Sequence, residues 1–171
     1  MDTFFEQLIA IRKNGAQIAA IIGIWVLGIA IAAFFLLFNI PFLSTFAPII
    51  VAGALFGAYK LTTLFNIEYE YIVTNGVLDV DKIVNKSSRK RYLSLNLSKT
   101  SRLEKYNASL LTNVNKKNIT VACNLEDPNA YLLVVDRDNR GADYLVMSPN
   151  DKMKGAIAKS VPKFISNSAF K

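Results

Sequence analysis

The sequence predicts an α+β membrane protein, in which a two-helix transmembrane hairpin is followed by a seven-stranded antiparallel barrel with a C-terminal capping helix. Three observations predict it. No Asp, Glu, Lys or Arg occurs from Asn14 through Tyr59. From Glu68 the chain breaks into short segments rich in Val, Ile, Leu and Tyr, separated by turn residues. A helical pattern returns only after Ser148. The expected parts are an amphipathic segment over 1–15, the helical hairpin over 16–65 and a water-facing domain over 66–171.

Ile18 to Phe38 reads IAAIIGIWVLGIAIAAFFLLF, 21 residues without a charge. At about 1.5 Å per residue such a helix spans roughly 30 Å, enough to cross the hydrocarbon core. Asn39-Ile40-Pro41 should stop it, because proline disfavours helix at the preceding residue and lacks a donor, and Ser44-Thr45 continue the break. The spans are expected at about 16–38 and 43–65. The second carries only Lys60, whose apolar stem lets its ammonium snorkel to the interface. Gly53-Ala-Leu-Phe-Gly57 is a GxxxG, expected to pack the two helices of the hairpin together rather than to dimerise the chain. Arg12, Lys13 and Lys60 flank the hairpin and its loop is uncharged, so the positive-inside rule places both termini and the domain in the cytosol, as in a multi-pass protein of the cell membrane.

Ahead of the first span, Phe4, Phe5, Leu8, Ile9 and Ile11 can cluster on one side of a helix with Glu6 and Gln7 opposite. An interfacial helix fits this pattern. Extension of the first span, or packing against the soluble domain, fits it equally.

In the domain, EYEYIVT (68–74) and VLDVDKIV (77–84) flank Asn75-Gly76, the strongest two-residue hairpin signal. Asn85 to Ser88 turns the chain into RKRYLSLNL (89–97), where Arg91, Leu93, Leu95 and Leu97 alternate with Lys90, Tyr92, Ser94 and Asn96. Further strands are expected at 98–106, 118–124, 130–136 and 142–148, with a polar loop over Asn107 to Lys117. Ser148 suits a helix N-cap, Pro149 a first helical position, and Met153, Ala156, Ile157 and Val161 share one face.

Seven strands and a closing helix are the element order of a pleckstrin-homology (PH)-like barrel. YEYIVTNGVLDVDKIVNKSSRKRYLSL resembles the opening strands of small bacterial PH-like domains, and VVDRDNRGADYLVMSPNDKMKGAI resembles their last hairpin and helix. The resemblance covers roughly residues 46 to 162. It implies a barrel that follows a transmembrane helix pair, and it carries no catalytic signature.

Composition narrows the chemistry. The chain has no histidine, which removes the commonest general base and zinc ligand, and it has one cysteine, Cys123, in an apolar strand. A buried structural thiol and a reducing compartment are expected. The net charge of +7 lies entirely from Lys60 onward. Neither a recognition helix nor an aromatic RNA-binding motif accompanies it, so no nucleic acid is expected. Asp136 to Gly141 resembles the start of a calcium loop, but Arg140 and Met147 occupy ligand positions, so a hairpin turn is expected. Glu68 with Glu70, and Asp79 with Asp81, read as the wet face of the first hairpin rather than as catalytic pairs. Asn96, Asn107 and Asn118 open chance glycosylation matches. No enzyme activity, metal or cofactor is expected.

Lys86, Arg89, Lys90 and Arg91 are the densest basic cluster, the residues for an anionic-lipid contact if they are not simply a solvated hairpin tip. Lys152, Lys154, Lys159 and Lys163 form a second basic face. The reading that follows is a non-enzymatic module, held by a two-pass anchor, presenting a surface to a protein partner or to copies of itself. The alternatives are a sensor of anionic lipid and an accessory subunit of a membrane enzyme or transporter.

Overall fold

The computed structural model describes residues 4–38, 41–137, 141–167 and 170. The chain divides into two compact units, residues 12–67 with 84–87 and residues 1–11 with 68–83 and 88–171.

The smaller unit is a pair of helices, α1 (Gly15–Leu37) and α2 (Ala47–Thr63). Asn14 caps α1 reciprocally: its side chain accepts from the Gln17 amide at 2.8 Å, and its own amide donates to Gln17 Oε1 at 3.1 Å. Asn39 and Ile40, where the first span was expected to stop, lie outside the described residues. Gly15–Leu37 and Ser44–Thr63, the latter being α2 with the 3-10 turn that precedes it, are long and apolar enough to cross a membrane. Their large side chains, among them Val26, Leu27, Ile29, Ile49 and Phe56, are exposed, whereas the core helix of a soluble protein would bury them.

Of the glycines in the two helices, the one against the partner helix is not in the GxxxG. A Cβ on Gly28 would stand 3.0 Å from Cβ of Ala58 and 3.5 Å from the Ala54 carbonyl oxygen. Nothing lies within 4 Å of a Cβ built on Gly53 or Gly57. The expected packing through Gly53 and Gly57 is therefore replaced by Gly28 against Ala54 and Ala58, which lie on a different stripe of α2.

The larger unit holds eight strands among the described residues: β1 (Phe4–Ala10), β2 (Ile67–Thr74), β3 (Val77–Val84), β4 (Ser88–Asn96), β5 (Thr100–Lys105), β6 (Ile119–Val121), β7 (Tyr131–Arg137) and β8 (Gly141–Met147). They form two four-stranded sheets, ordered β1-β2-β3-β4 and β5-β7-β8-β6, in place of the expected closed barrel of seven. Nor are all pairings antiparallel, since β6 runs parallel to β8. The Asn75-Gly76 turn forms as read, with φ of +48° and +83°, the positive pair of a type I′ turn. Asn85 and Lys86, at +52° and +56°, repeat that geometry between β3 and β4.

The largest departure is β1. Residues 4–10 are a strand, not an interfacial helix, and pair antiparallel with β2 from Phe4 opposite Thr74 to Ala10 opposite Glu68. Exposure alternates along it, with Phe5, Gln7 and Ile9 half-buried and Phe4, Glu6, Leu8 and Ala10 exposed. FFEQLIA fits a helix or a strand, and only the waiting edge of β2 selects the strand. Of the placements read from the sequence, packing against the soluble domain is the one observed.

The core follows from period-two sorting. Tyr71, Val73, Leu78 and Val80 are fully buried along β2 and β3. Both faces of β7 are buried, so its sequence runs apolar without alternation. Leu132 and Val134 pack with Val146, Cys123 and Ala130 under Tyr106, Leu110 and Leu111. The segment after Asn107 is thus a loop as expected, but Leu110 and Leu111 make it a lid over the outer face of the second sheet. Asn96 and Asn107 have a structural use as well. Each side chain accepts from the amide two residues on, opening short 3-10 turns at Leu97–Lys99 and Ala108–Leu111.

The closing helices are α3 (Asp151–Ser160) and α4 (Lys163–Ser166). The cap of α3 is Asn150, accepting from the Met153 amide at 2.8 Å, and not Ser148. Ser148 is buried instead. Its hydroxyl donates to Asp127 at 2.5 Å and its amide to the Tyr71 hydroxyl at 3.3 Å. Met153, Ala156, Ile157, Val161 and Ile165 are buried.

Candidate interaction surface

β4 is the edge of the first sheet and carries most of the basic cluster. Its side chains do not share one role. Arg89 donates to Glu70 Oε1 at 2.9 Å. Arg91 reaches Asp79 at 2.7 Å and Asp81 at 2.5 Å. Ser94 donates to the other oxygen of Asp79 at 2.6 Å. Arg91 and Ser94 are three residues apart and reach one carboxylate, so the simple alternation expected along β4 does not hold: Arg91 points with Ser94 and not with the buried Leu95. Tyr92 points the other way, its exposed ring 5.9 Å from that of Tyr69. The hydroxyl of Tyr69 is held above its ordinary pKa by burial and by Tyr92.

The acidic residues are not the wet face that their spacing suggests. Glu70 and Asp81 are 2% and 5% exposed. Their partners come from β4, beyond the hairpin that carries them. Burial raises the Glu70 carboxyl pKa, helped by a side-chain hydrogen bond with Glu6 and opposed by Arg89. Arg91 is held still more firmly charged by its bond to Asp81.

The four residues singled out for lipid contact are thereby divided. Arg89 and Arg91 already face carboxylates, while Lys86, in the turn, and Lys90 are exposed and make no ion pair among the described residues. Basic side chains on an edge strand have a structural use too, because they block indiscriminate strand addition. What remains outward on β4 is Lys90, Tyr92 and the exposed flanks of two paired arginines, a composition favoured at protein interfaces. The other large exposed apolar side chains of this unit are Phe4, Leu8, Leu125 and Phe164.

On the second basic face, Lys154 stacks over the Tyr131 ring at 5.3 Å and pairs with Asp151 at 3.6 Å, so it is no free cation. Lys152, Lys159 and Lys163 are exposed. Cys123 is buried, and burial pushes its thiol up to about 12, far from a nucleophile's range. The calcium-like loop lies partly outside the described residues, at 138–140. Its flanks form the β7–β8 hairpin, with Asp136 opposite Ala142 and Arg137 opposite Gly141. Arg137 bonds Asp143, and Asp136 accepts from Ser101 at 3.0 Å.

A family model described as "Bacterial PH-like domain (DUF6106)" matches residues 1–167. The chain belongs to this bacterial PH-like family. The match begins well before residue 46, where the sequence resemblance began, and so takes in β1 and both apolar helices. Neither the curated proteins nor the solved structures contain a match. PH-like domains are generally non-catalytic, and membership of this family suggests a module for interaction.

Two residues of consequence were not singled out as sites in the sequence. Gln7 and Glu6 lie in a segment read for its apolar side chains, and their importance comes from pairing with a strand some sixty residues away. No local signal marked them: Glu6-Gln7-Leu8-Ile9 reads polar, polar, apolar, apolar, without the alternation of a half-buried strand.

Proposed function

We propose that this protein is a two-pass membrane protein that holds a non-catalytic PH-like module at the cytoplasmic face, where the module presents a surface to a protein partner or to a second copy of the chain. The observation that carries the reading is the pairing of β1 with β2 on either side of the helical hairpin. Strands that hydrogen-bond to each other occupy one compartment, so a membrane-inserted hairpin must return the chain to the side from which it left. Arg12, Lys13 and Lys60 favour the cytoplasm for that side. Exposed apolar helices with no water-facing role support insertion.

The exposed ring of Tyr92, on the opposite side of β4 from the paired Arg91, favours protein recognition. A built anionic pocket would converge free cations, whereas Arg89 and Arg91 are spent on Glu70, Asp79 and Asp81. A weak lipid contact through Lys86 and Lys90 is the second reading, and their unpaired ammonium groups favour it.

A photo-crosslinking residue at Tyr92 of the full chain, activated in intact cells, tests the reading. Discrete protein adducts are expected, at about twice the chain's mass if the partner is a second copy. Adducts to phospholipid alone would reverse the ranking. Impermeant thiol labelling of Ser44→Cys but not Ser109→Cys in intact cells is the result the topology requires, and Cys123 is buried and silent.

A further inference from the structure

We propose that Glu6 and Glu70 form a proton-dependent latch that holds the N-terminal strand β1 to β2.

The geometry comes from the register. Glu6 stands opposite Ile72 and Leu8 opposite Glu70, so the two glutamates are diagonal neighbours on one face of the sheet. Diagonal positions lie within reach of side chains this long. Glu70 is almost wholly buried, while Glu6 is exposed. One oxygen of Glu70 takes the Arg89 guanidinium at 2.9 Å. The other, Oε2, is buried and no donor reaches it. Glu6, at the diagonal position, can share that oxygen only when a proton lies between the two carboxyls, since neither carboxylate can donate.

The charges agree with that state. The groups facing Glu70 are Glu6 from β1, Asp81 from β3 and Arg89 from β4, with Glu68 two residues away on its own strand. Asp81 is matched by Arg91. A Glu6–Glu70 pair that shares one proton carries a single negative charge, which Arg89 balances. The same pair without its proton places a second negative charge beside a buried carboxylate, with no further cation among these neighbours.

The direction of the linkage follows. Docking raises the affinity of Glu70 for its proton above the ordinary glutamate value, through burial first and Glu6 second. The contribution to docking is complete below the ordinary glutamate pKa and is lost as pH rises through the raised one. β1 is an edge strand, the kind of element that opens locally without global unfolding. Only Ile11, Arg12 and Lys13 separate it from the Asn14 cap of α1. The latch therefore decides whether the chain entering the first apolar helix is a paired strand or a free segment, and whether the outer edge of β2 is covered.

Hydrogen exchange of the full chain in nanodiscs tests this, read on peptides covering residues 4–10 between about pH 4 and pH 8 and corrected for intrinsic exchange. β7 peptides serve as the reference for global stability. Protection of β1 should fall with rising pH, by up to about tenfold per pH unit, while β7 stays protected. Glu6→Gln supplies an amide donor to Glu70 and should hold β1 protected across the range. Glu68→Gln should keep the wild-type slope. Flat wild-type protection, the wild-type slope retained in Glu6→Gln, or a Glu6→Gln strand unprotected at every pH would each overturn the latch.

Discussion

The side-chain amide of Gln7 spans the entry to the C-terminal helix, donating to the Ser148 carbonyl and accepting from the Asn150 amide, each at 2.9 Å. One residue of the N-terminal strand thus satisfies two backbone groups of a turn more than 140 positions away. The neighbouring Asn150 side chain caps α3. Gln7→Ala should strip both partners at once. A loss of about 1 kcal/mol is expected, because the part-buried Ser148 carbonyl is left without a partner while the exposed Asn150 amide turns to water. Chemical denaturation of the full chain measures it, and Gln7→Glu should be worse than Gln7→Asn, because a carboxylate cannot donate to the Ser148 carbonyl.

Ala10 and Glu68 are opposite each other in the β1–β2 ladder, so residues between them depart and return at neighbouring points. Replacing residues 12–66 by a short Asn-Gly-containing turn should give a water-soluble domain that keeps the fold. Residues 66–171 alone should behave much worse, since they lack β1 and the Gln7 clamp and expose the edge of β2. A gap of at least roughly 10 °C in thermal midpoint between the two is expected, corresponding to about 2 kcal/mol. Equal midpoints by circular dichroism would show that β1 contributes nothing.

The helical pair makes a separate prediction. Gly28→Leu forces a side chain into Ala58, where even a Cβ stands at 3.0 Å, and it should cost about 1–3 kcal/mol by overpacking. A Cβ at Gly57 meets nothing within 4 Å, so Gly57→Leu should leave the pair intact. Thermal aggregation in mild detergent compares the two. Loss of stability in Gly57→Leu with none in Gly28→Leu would return the helix contact to the GxxxG.

Cys123 gives a pH dependence of known sign. Its thiol moves from an ordinary 9.0 up to about 12, chiefly through burial, with Asp127 adding repulsion. The folded state holds the thiol proton more tightly, so its contribution is complete below about pH 9 and is lost as pH rises toward 12. The native protein should react slowly with a maleimide at pH 8 and promptly once unfolded. Subtracting the alkaline stability profile of Cys123→Ala isolates this contribution from the lysines and tyrosines that titrate in the same range.

The strands of the domain were legible because their signals are local. Asn75-Gly76 dictates positive φ at two adjacent residues, which leaves one tight hairpin, and β3 forms over 77–84 as its pattern reads. The face of α3 was legible too, because Met153, Ala156 and Ile157 recur at helical spacing. Its start was misplaced by two residues, since Ser148 and Asn150 are equally good caps by type and only Tyr71 and Asp127 bind one of them away.

The sequence by itself determined the two long apolar helices, the turn chemistry and the position of most β segments, because each depends on residues within one or two turns of one another. Tertiary structure alone decided the state of residues 4–10, the division of the basic cluster and the choice of Gly28 over Gly53 and Gly57. FFEQLIA fits a helix as well as a strand until β2 offers it a ladder. Arg89 and Arg91 look free until Glu70, Asp79 and Asp81 arrive from strands ten to nineteen residues away. A glycine permits close approach, but which stripe of α2 meets α1 depends on how the whole helices pack. Local propensity acts within a segment, and these outcomes were set by partners that no local pattern contains.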